Sequence, residues 1–217
     1  ALFKALTDAG LDTCFANPGT SEMHLVYEIG RTPGVRAVLC LQENTVTGAA
    51  DGYARMAGRP AATLLHLGCG LGNGLANLHN ARKGRVPVVN IVGDHATYHL
   101  QYDAPLTSDI IGFARPVSSW VHSIKNSVTA AGDTALAVQA ARAAPGHIAT
   151  LIAPADAMWN AADQAAQPLP HHGPQAVTAE TIDHIAQLLR NGKRSAILMR
   201  GRELTGAGLE AAGRVAA

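Results

Sequence analysis

Short apolar runs alternate with longer amphipathic segments along the chain, and within each run the apolar residues are continuous rather than alternating. That is the pattern of parallel strands buried on both faces, and it predicts an α/β fold: a mostly parallel sheet with helices on both faces. A helix is expected from Leu2 to Ala9, closed by Gly10, then a strand around Thr13 to Ala16. The turn Asn17-Pro18-Gly19-Thr20-Ser21 follows, where Thr20 or Ser21 can cap a helix that begins near Glu22 and ends before Pro33. Val35 to Gln42 reads as a strand, Asn44 to Met56 as a helix and Ala61 to Leu67 as a third strand. A glycine cluster from Gly68 to Gly74 leads into a helix from about Asn73 to Lys83, and a fourth strand, Val86 to Val92, ends in Gly93-Asp94. Residues 95–115 lack periodicity and predict a long irregular connection, of the kind that tends to carry function. A strand near Trp120 to Ile124, a helix from Thr134 to Ala143 and a strand from His147 to Ile152 complete the unit.

Beyond it, residues 161–177, with Pro168, Pro170, His171, His172 and Pro174, read as a linker with solvated imidazoles. Thr178 to Arg190 then predicts a helix, Ala196 to Met199 a strand, and Leu204 to Ala217 a helix without a stop signal. The expected organisation is one α/β domain over 1–160, a linker over 161–177, and the beginning of a truncated second domain over 178–217.

Length agrees with that division, since 217 residues at about 150 per domain make one α/β unit and an incomplete remainder. The first residue is not Met, and the sequence reads as a cut chain. A hydrophobic fraction of 47% against 15% charged residues supports a packed core and excludes a disordered chain. The formal net charge of +1 offers no footprint for a phosphate backbone, so nucleic acid is not an expected partner. No apolar run approaches the roughly 18 residues needed to span a bilayer, and a soluble, cytoplasmic protein without a membrane partner is expected. Cys14, Cys40 and Cys69 form no CxxC pair; they fit a reducing compartment and read as small buried side chains.

Three groups of residues could carry chemistry. Glu43 lies at the carboxyl end of the run Val38 to Gln42, where open α/β sheets place their ligands. Partial desolvation there favours the protonated carboxyl, although a Glu at the start of a helix also suits the helix dipole. Gly68-Cys69-Gly70-Leu71-Gly72-Asn73-Gly74, between a strand and a helix, invites a nucleotide-binding reading. Asp94, 24 residues after Gly70, stands as its ribose-binding carboxylate, but Asn73 occupies the third glycine of the GxGxxG spacing, and a tight strand-to-helix turn explains the cluster equally well. His66, inside an apolar run, is either a core imidazole bonded to a carbonyl or a site residue beside those glycines. His95 and His99 could bind metal if helical, but they lack a third ligand nearby.

Asn17-Pro18-Gly19-Thr20-Ser21-Glu22, then Leu41-Gln42-Glu43, then Gly48-Ala49-Ala50-Asp51-Gly52-Tyr53-Ala54-Arg55, then the cluster from Gly68 to Asn77, follow one another in that order. Together they resemble the N-terminal pyrimidine-binding domain of thiamine diphosphate-dependent enzymes. The similar members are acetolactate synthase large-subunit-like and benzoylformate decarboxylase-like proteins, with the resemblance covering roughly residues 1 to 160. It implies decarboxylation or carboligation of 2-keto acids, with benzoylformate-type decarboxylation as the alternative. The resemblance implies that Glu43 hydrogen-bonds N1′ of the cofactor's aminopyrimidine and promotes loss of the thiazolium C2 proton. It also implies that Pro18, Gly19 and Asn73 line the cofactor ring, and that Thr20 and His66 face the substrate, His66 as a catalytic imidazole. Thiamine diphosphate and Mg2+ are the implied cofactors, with the metal bound by a domain absent from this chain, which alone would be inactive. Gly93-Asp94-His95 with Asn126 imitates the family's metal motif but lacks its second glycine and lies in the wrong domain. A homodimer or homotetramer is implied, because the family builds its site across two subunits. A nucleotide-binding domain and a non-catalytic relative remain the readings from other classes.

Overall fold

The computed structural model describes residues 1–162, 165–171 and 173–217, with the side chain of Arg202 outside that description. Six parallel strands form one sheet: β1 (Thr13–Asn17), β2 (Arg36–Leu39), β3 (Ala61–Leu65), β4 (Val88–Asp94), β5 (Trp120–Ser123) and β6 (Ile148–Pro154). Their order is β2-β1-β3-β4-β6-β5, so the chain steps outward from β1 to β2 and then returns across β1 to β3. The reversal lies between β1 and β3, and above the carboxyl ends of strands at such a switch point is where open α/β sheets bind ligands.

Alternation along the inner strands divides the core in two. Ala62, Leu64, Val89, Ile91 and Leu151 face α1 (Leu2–Asp8), α2 (Met23–Arg31), α6 (Ala130–Arg142) and α7 (Ala155–Trp159). Ala61, Leu65, Val88, Val92 and Ile152 face α3 (Glu43–Ala57), α4 (Leu67–Gly84) and α5 (Ile110–Ala114). Helices therefore cover both faces of a parallel sheet, as the continuous apolar runs require. Within the sheet, fully buried Thr63, Asn90 and Thr150 make a polar ladder across β3, β4 and β6. Thr63 Oγ1 donates to Asn90 Oδ1 at 2.7 Å, Asn90 Nδ2 donates to Thr150 Oγ1 at 3.0 Å, and the Ser118 hydroxyl closes the chain at 2.7 Å. Thr63→Val, which keeps the shape and removes the donor, is expected to cost about 1–3 kcal/mol; the urea midpoint should fall with an unchanged slope.

Several expected boundaries move, each for a local reason. The edge strand β2 stops at Leu39, and Leu39 and Leu41 are 69% and 89% exposed, because an edge has no neighbour to cover it. β4 starts at Val88 rather than Val86, since Pro87 has no N–H for the ladder. β6 runs on to Pro154, and α6 starts at Ala130, four residues ahead of expectation. The connection 95–115 contains a 3₁₀ turn over Leu100–Tyr102 and the short helix α5, capped by Asp109 Oδ1 on Gly112 N at 2.8 Å. Cys14 and Cys40 are buried as expected; Cys69 is exposed, on the outer surface of α4.

The largest correction concerns Gly68 to Gly74, which are helical: α4 begins at Leu67, not Asn73. Glycine weakens a helix, but here it lets helices touch. A Cβ on Gly48 would lie 2.7 Å from Asn77 Nδ2 and one on Gly74 2.9 Å from Thr47 Cγ2, while Thr47 Oγ1 donates to the Gly74 carbonyl at 3.0 Å. Beyond residue 177, α8 (Ala179–Leu189) and α9 (Gly206–Ala216) bury no residue, and Ala196 to Met199 is not a strand, having no neighbouring strand to pair with among the described residues. His171 is exposed; His172 lies outside the described residues.

Candidate active site

Four of the expected site residues meet at the reversal of the sheet. Gln42 caps α3 by accepting a hydrogen bond from Thr45 N at 3.0 Å, so the helix begins one residue earlier than the sequence suggests and Glu43 is its first residue. A carboxylate there faces the unpaired N–H groups of the first turn. Glu43 is half-buried, less desolvated than a doubly covered strand would have made it. Its Oε2 accepts a hydrogen bond from Asn73 Nδ2 at 3.2 Å, and its Cγ lies 3.6 Å from where a Cβ on Gly70 would stand. The glycine face of α4 thus receives Glu43, and Asn73, one turn along, orients it.

His66 belongs to neither strand nor helix but is the residue between them, at the cap of α4. Leu67 follows with φ +52°, a left-handed conformation in a buried non-glycine residue, so the strand turns sharply into the helix just where His66 projects. The imidazole packs on Gly19, where any Cβ would overlap the ring. Pro18 and Gly19 are half-buried in the turn after β1, and Thr20, next in line, is exposed.

Sequence reasoning singled out no role for Glu22, which completes this side of the site. It is 0% exposed; its Oε2 accepts from Gly19 N at 2.7 Å and is hydrogen-bonded to His66 Nδ1 at 2.8 Å. Its Oε1 has no partner among the described residues and is pressed against Gly93, whose Cα leaves just enough room for it. The signal was available: an acid three residues after a helix-capping position reaches back to that residue's N–H.

Asp94 ends β4 next to this pair. Burial first, and the charge of Glu22 in addition, push its carboxyl pKa above the ordinary value, outweighing the hydrogen bond and charge of His95. It serves no glycine loop, because the cluster it was matched with is helical and closed: Gly68 faces Ser108, Gly70 faces Glu43 and His66, and Gly74 faces Thr47. His95, His99 and Tyr102 form a ring ladder at 5.4 and 5.7 Å. Among the described residues no group of three His, Cys, Asp or Glu could hold a metal ion, and Asn126 spends its Oδ1 on Val128 N and Thr129 N.

The loop after β4 is tied down by Asp156, which accepts from Thr97 N at 3.0 Å and Thr97 Oγ1 at 2.5 Å. Burial pushes the Asp156 carboxyl up, but the Thr97 bonds and the N–H groups of Asp156 and Ala157 outweigh it, leaving it below the ordinary carboxylate range. A depressed folded-state pKa gives stability that is present above about pH 4 and lost as pH falls through the folded value. Asp156→Asn is expected to speed amide exchange over residues 95–102 and leave the β3 and β4 amides unchanged, as measured by hydrogen–deuterium exchange.

Residues 1–114 match the family described as thiamine pyrophosphate enzyme, N-terminal TPP binding domain, and the chain belongs to it. Among curated relatives, it is similar to a Mycobacterium tuberculosis protein provisionally named acetolactate synthase large subunit IlvX, 52% identical over 99% of this chain. It is also similar to the benzoylformate decarboxylase of Pseudomonas aeruginosa, 34% identical over 56% of this chain. It spans 41% of the first relative's length and aligns with 23% of the second's. The crystal structure of benzoylformate decarboxylase from Polynucleobacter necessarius shares the fold with a TM-score of 0.82, at 23% identity, over 89% of this chain and 36% of that one. No helix among the described residues is long and apolar enough to cross a membrane.

Proposed function

We propose that this chain supplies the pyrimidine-binding half of a thiamine diphosphate site that decarboxylates or ligates 2-keto acids, in the manner of acetolactate synthase. The observation that carries the reading is Glu43: a half-buried carboxylate at the head of α3, held by Asn73 at the carboxyl end of a sheet whose strand order reverses between β1 and β3. A carboxylate with one oxygen engaged and the other without a donor among the described residues suits a heteroaromatic ring nitrogen, so the donor set fits the cofactor. Thiamine diphosphate, when bound, supplies the carbon nucleophile and the sink for the electron pair left by carbon dioxide. Glu43 then holds and returns a proton at the aminopyrimidine nitrogen, Asn73 keeps the carboxylate aimed, and Pro18 with Gly19 shapes the wall beside the ring. On the other side, the His66 imidazole, oriented by buried Glu22, and the exposed Thr20 hydroxyl face the 2-keto acid.

A proton-bearing imidazole next to the substrate favours simple decarboxylation of the benzoylformate type as the second reading. The metal that binds the diphosphate, Mg2+ in this proposal, and the residues that hold it are assigned to a segment outside this chain. The open side of the site is assigned to a second subunit, in a homodimer or homotetramer. The proposed division is a pyrimidine-binding domain over 1–160, a linker and the beginning of a central domain. Thermal-shift measurements on the full-length protein test the reading. Stabilisation by thiamine diphosphate with magnesium, together with turnover of pyruvate or benzoylformate, supports it; stabilisation by NAD alone overturns it.

A further inference from the structure

Asp94 is the acid that the proposed chemistry leaves unused. It is the last residue of β4, one position past Gly93, and Gly93 is the residue against which the unpartnered Oε1 of fully buried Glu22 lies. β3 and β4 are in register at Leu65 and Val92, so His66 and Gly93 leave adjacent strands side by side. Alternation sends Gly93, with Val89 and Ile91, toward the α2 face, where Glu22 lies, and Asp94, with Val92, toward the α4 face. The two carboxyl groups therefore straddle a single strand end. Asp94 accepts a hydrogen bond from His95 N at 2.8 Å, and no other donor among the described residues reaches it. The charged groups acting on it are Glu22, from the turn after β1, and His95, from its own loop; on the β6 side Asp156 is engaged by Thr97.

We propose that Asp94 is a positioning residue for the Glu22–His66 pair: facing Glu22 across the Gly93 backbone, its carboxyl group sets the pH at which the His66 imidazole takes up its proton. An ionised Asp94 adds a second negative charge across the Gly93 backbone from the Glu22–His66 pair and so supports the imidazolium; a neutral Asp94 does not. Burial and the neighbouring Glu22 favour the proton on Asp94, so the two titrations are coupled rather than independent. The inference depends on the function proposed above only for its kinetic consequence, which is a shift in the acid limb of the pH–rate profile.

A nitrogen-15 histidine titration of the full-length protein by NMR, from about pH 4 to about pH 9, reads the coupling directly. In Asp94→Asn the His66 midpoint is expected to fall by about half a pH unit, while His79, on the far part of α4, titrates as in the wild type. A His66 curve that moves no more than that of His79 overturns the proposal. The variant is expected to fold: a raised carboxyl pKa means that Asp94 costs stability as pH rises through the folded value, and a neutral amide removes that cost. Should the variant not fold, the reciprocal measurement decides. Coupling is mutual, so His66→Gln must raise the midpoint of the Asp94 side-chain carbon-13 signal by a matching amount, and an unchanged Asp94 curve overturns the proposal. The cofactor thermal shift keeps the two readings apart. A ligand shift without a His66 response removes only this inference, and a His66 response without a ligand shift removes only the function above.

Discussion

If the proposed function holds, Glu43→Gln in the full-length protein is expected to lower 2-keto acid decarboxylation by about 10²–10⁴-fold while leaving the folded state intact. The size follows from what a positioned acid–base group contributes, and the specificity follows from the geometry. Glu43 is half-buried at a helix start, and its only side-chain donor among the described residues is Asn73. A glutamine keeps an amide oxygen for Asn73 and the shape that packs over Gly70, so the melting temperature should move little. What it cannot do is exchange a proton with a ring nitrogen. Loss of activity with an unchanged melting curve is the expected result; full activity in the folded variant would remove Glu43 from the chemistry.

The largest effect on stability is expected from Gly93→Ala. The new methyl would occupy the space of Glu22 Oε1, and backbone lies on one side of the contact, so relief must come from Glu22. Moving Glu22 breaks its bonds with Gly19 N and His66 and leaves a displaced carboxylate in a region where it was 0% exposed. Overpacking costs about 1–3 kcal/mol and the loss of a hydrogen bond to a charged group about 1.5–3 kcal/mol, so a fall of about 3 kcal/mol or more is expected. In a domain of this size that is roughly a 6–12 °C drop in melting temperature, measured by calorimetry. Glu22→Gln, which removes the charge but not the bulk, should lose far less stability and disturb mainly the His66 titration.

Much of this architecture was readable in the residues before any coordinates. β3, β4 and β6 are covered on both faces, and their unbroken apolar runs say so. Glu43 and His66 stood out as polar groups at the ends of such runs, although a helix-start acid and a carbonyl-bonded core imidazole were structural explanations for them until the resemblance gave each a role. What failed to show was context. Gly68 to Gly74 read as a loop because glycine is a poor helix former in isolation; the compensating contacts with Thr47, Ser108 and Glu43 come from residues that are distant in sequence. Val38 to Leu41 read as buried because an edge strand has the same composition as an inner one. Glu22 escaped notice because its role depends on His66, 44 residues away, and on the missing side chain of Gly93.

The contact of α3 with α4 at Gly48 and Gly74 carries a lesson for protein engineering. Glu43 rides on one helix and Asn73 on the other, so their spacing depends on how closely the helices approach; an added methyl at Gly48 meets the movable end of Asn77, whereas one at Gly74 meets the buried, branched Thr47. Libraries that vary Gly74 alone should therefore return almost only the parent residue, whereas libraries that trim Thr47 in the same clone should yield functional pairs. Tolerance along this seam is a property of couples of positions, and screens that change one codon at a time will miss it.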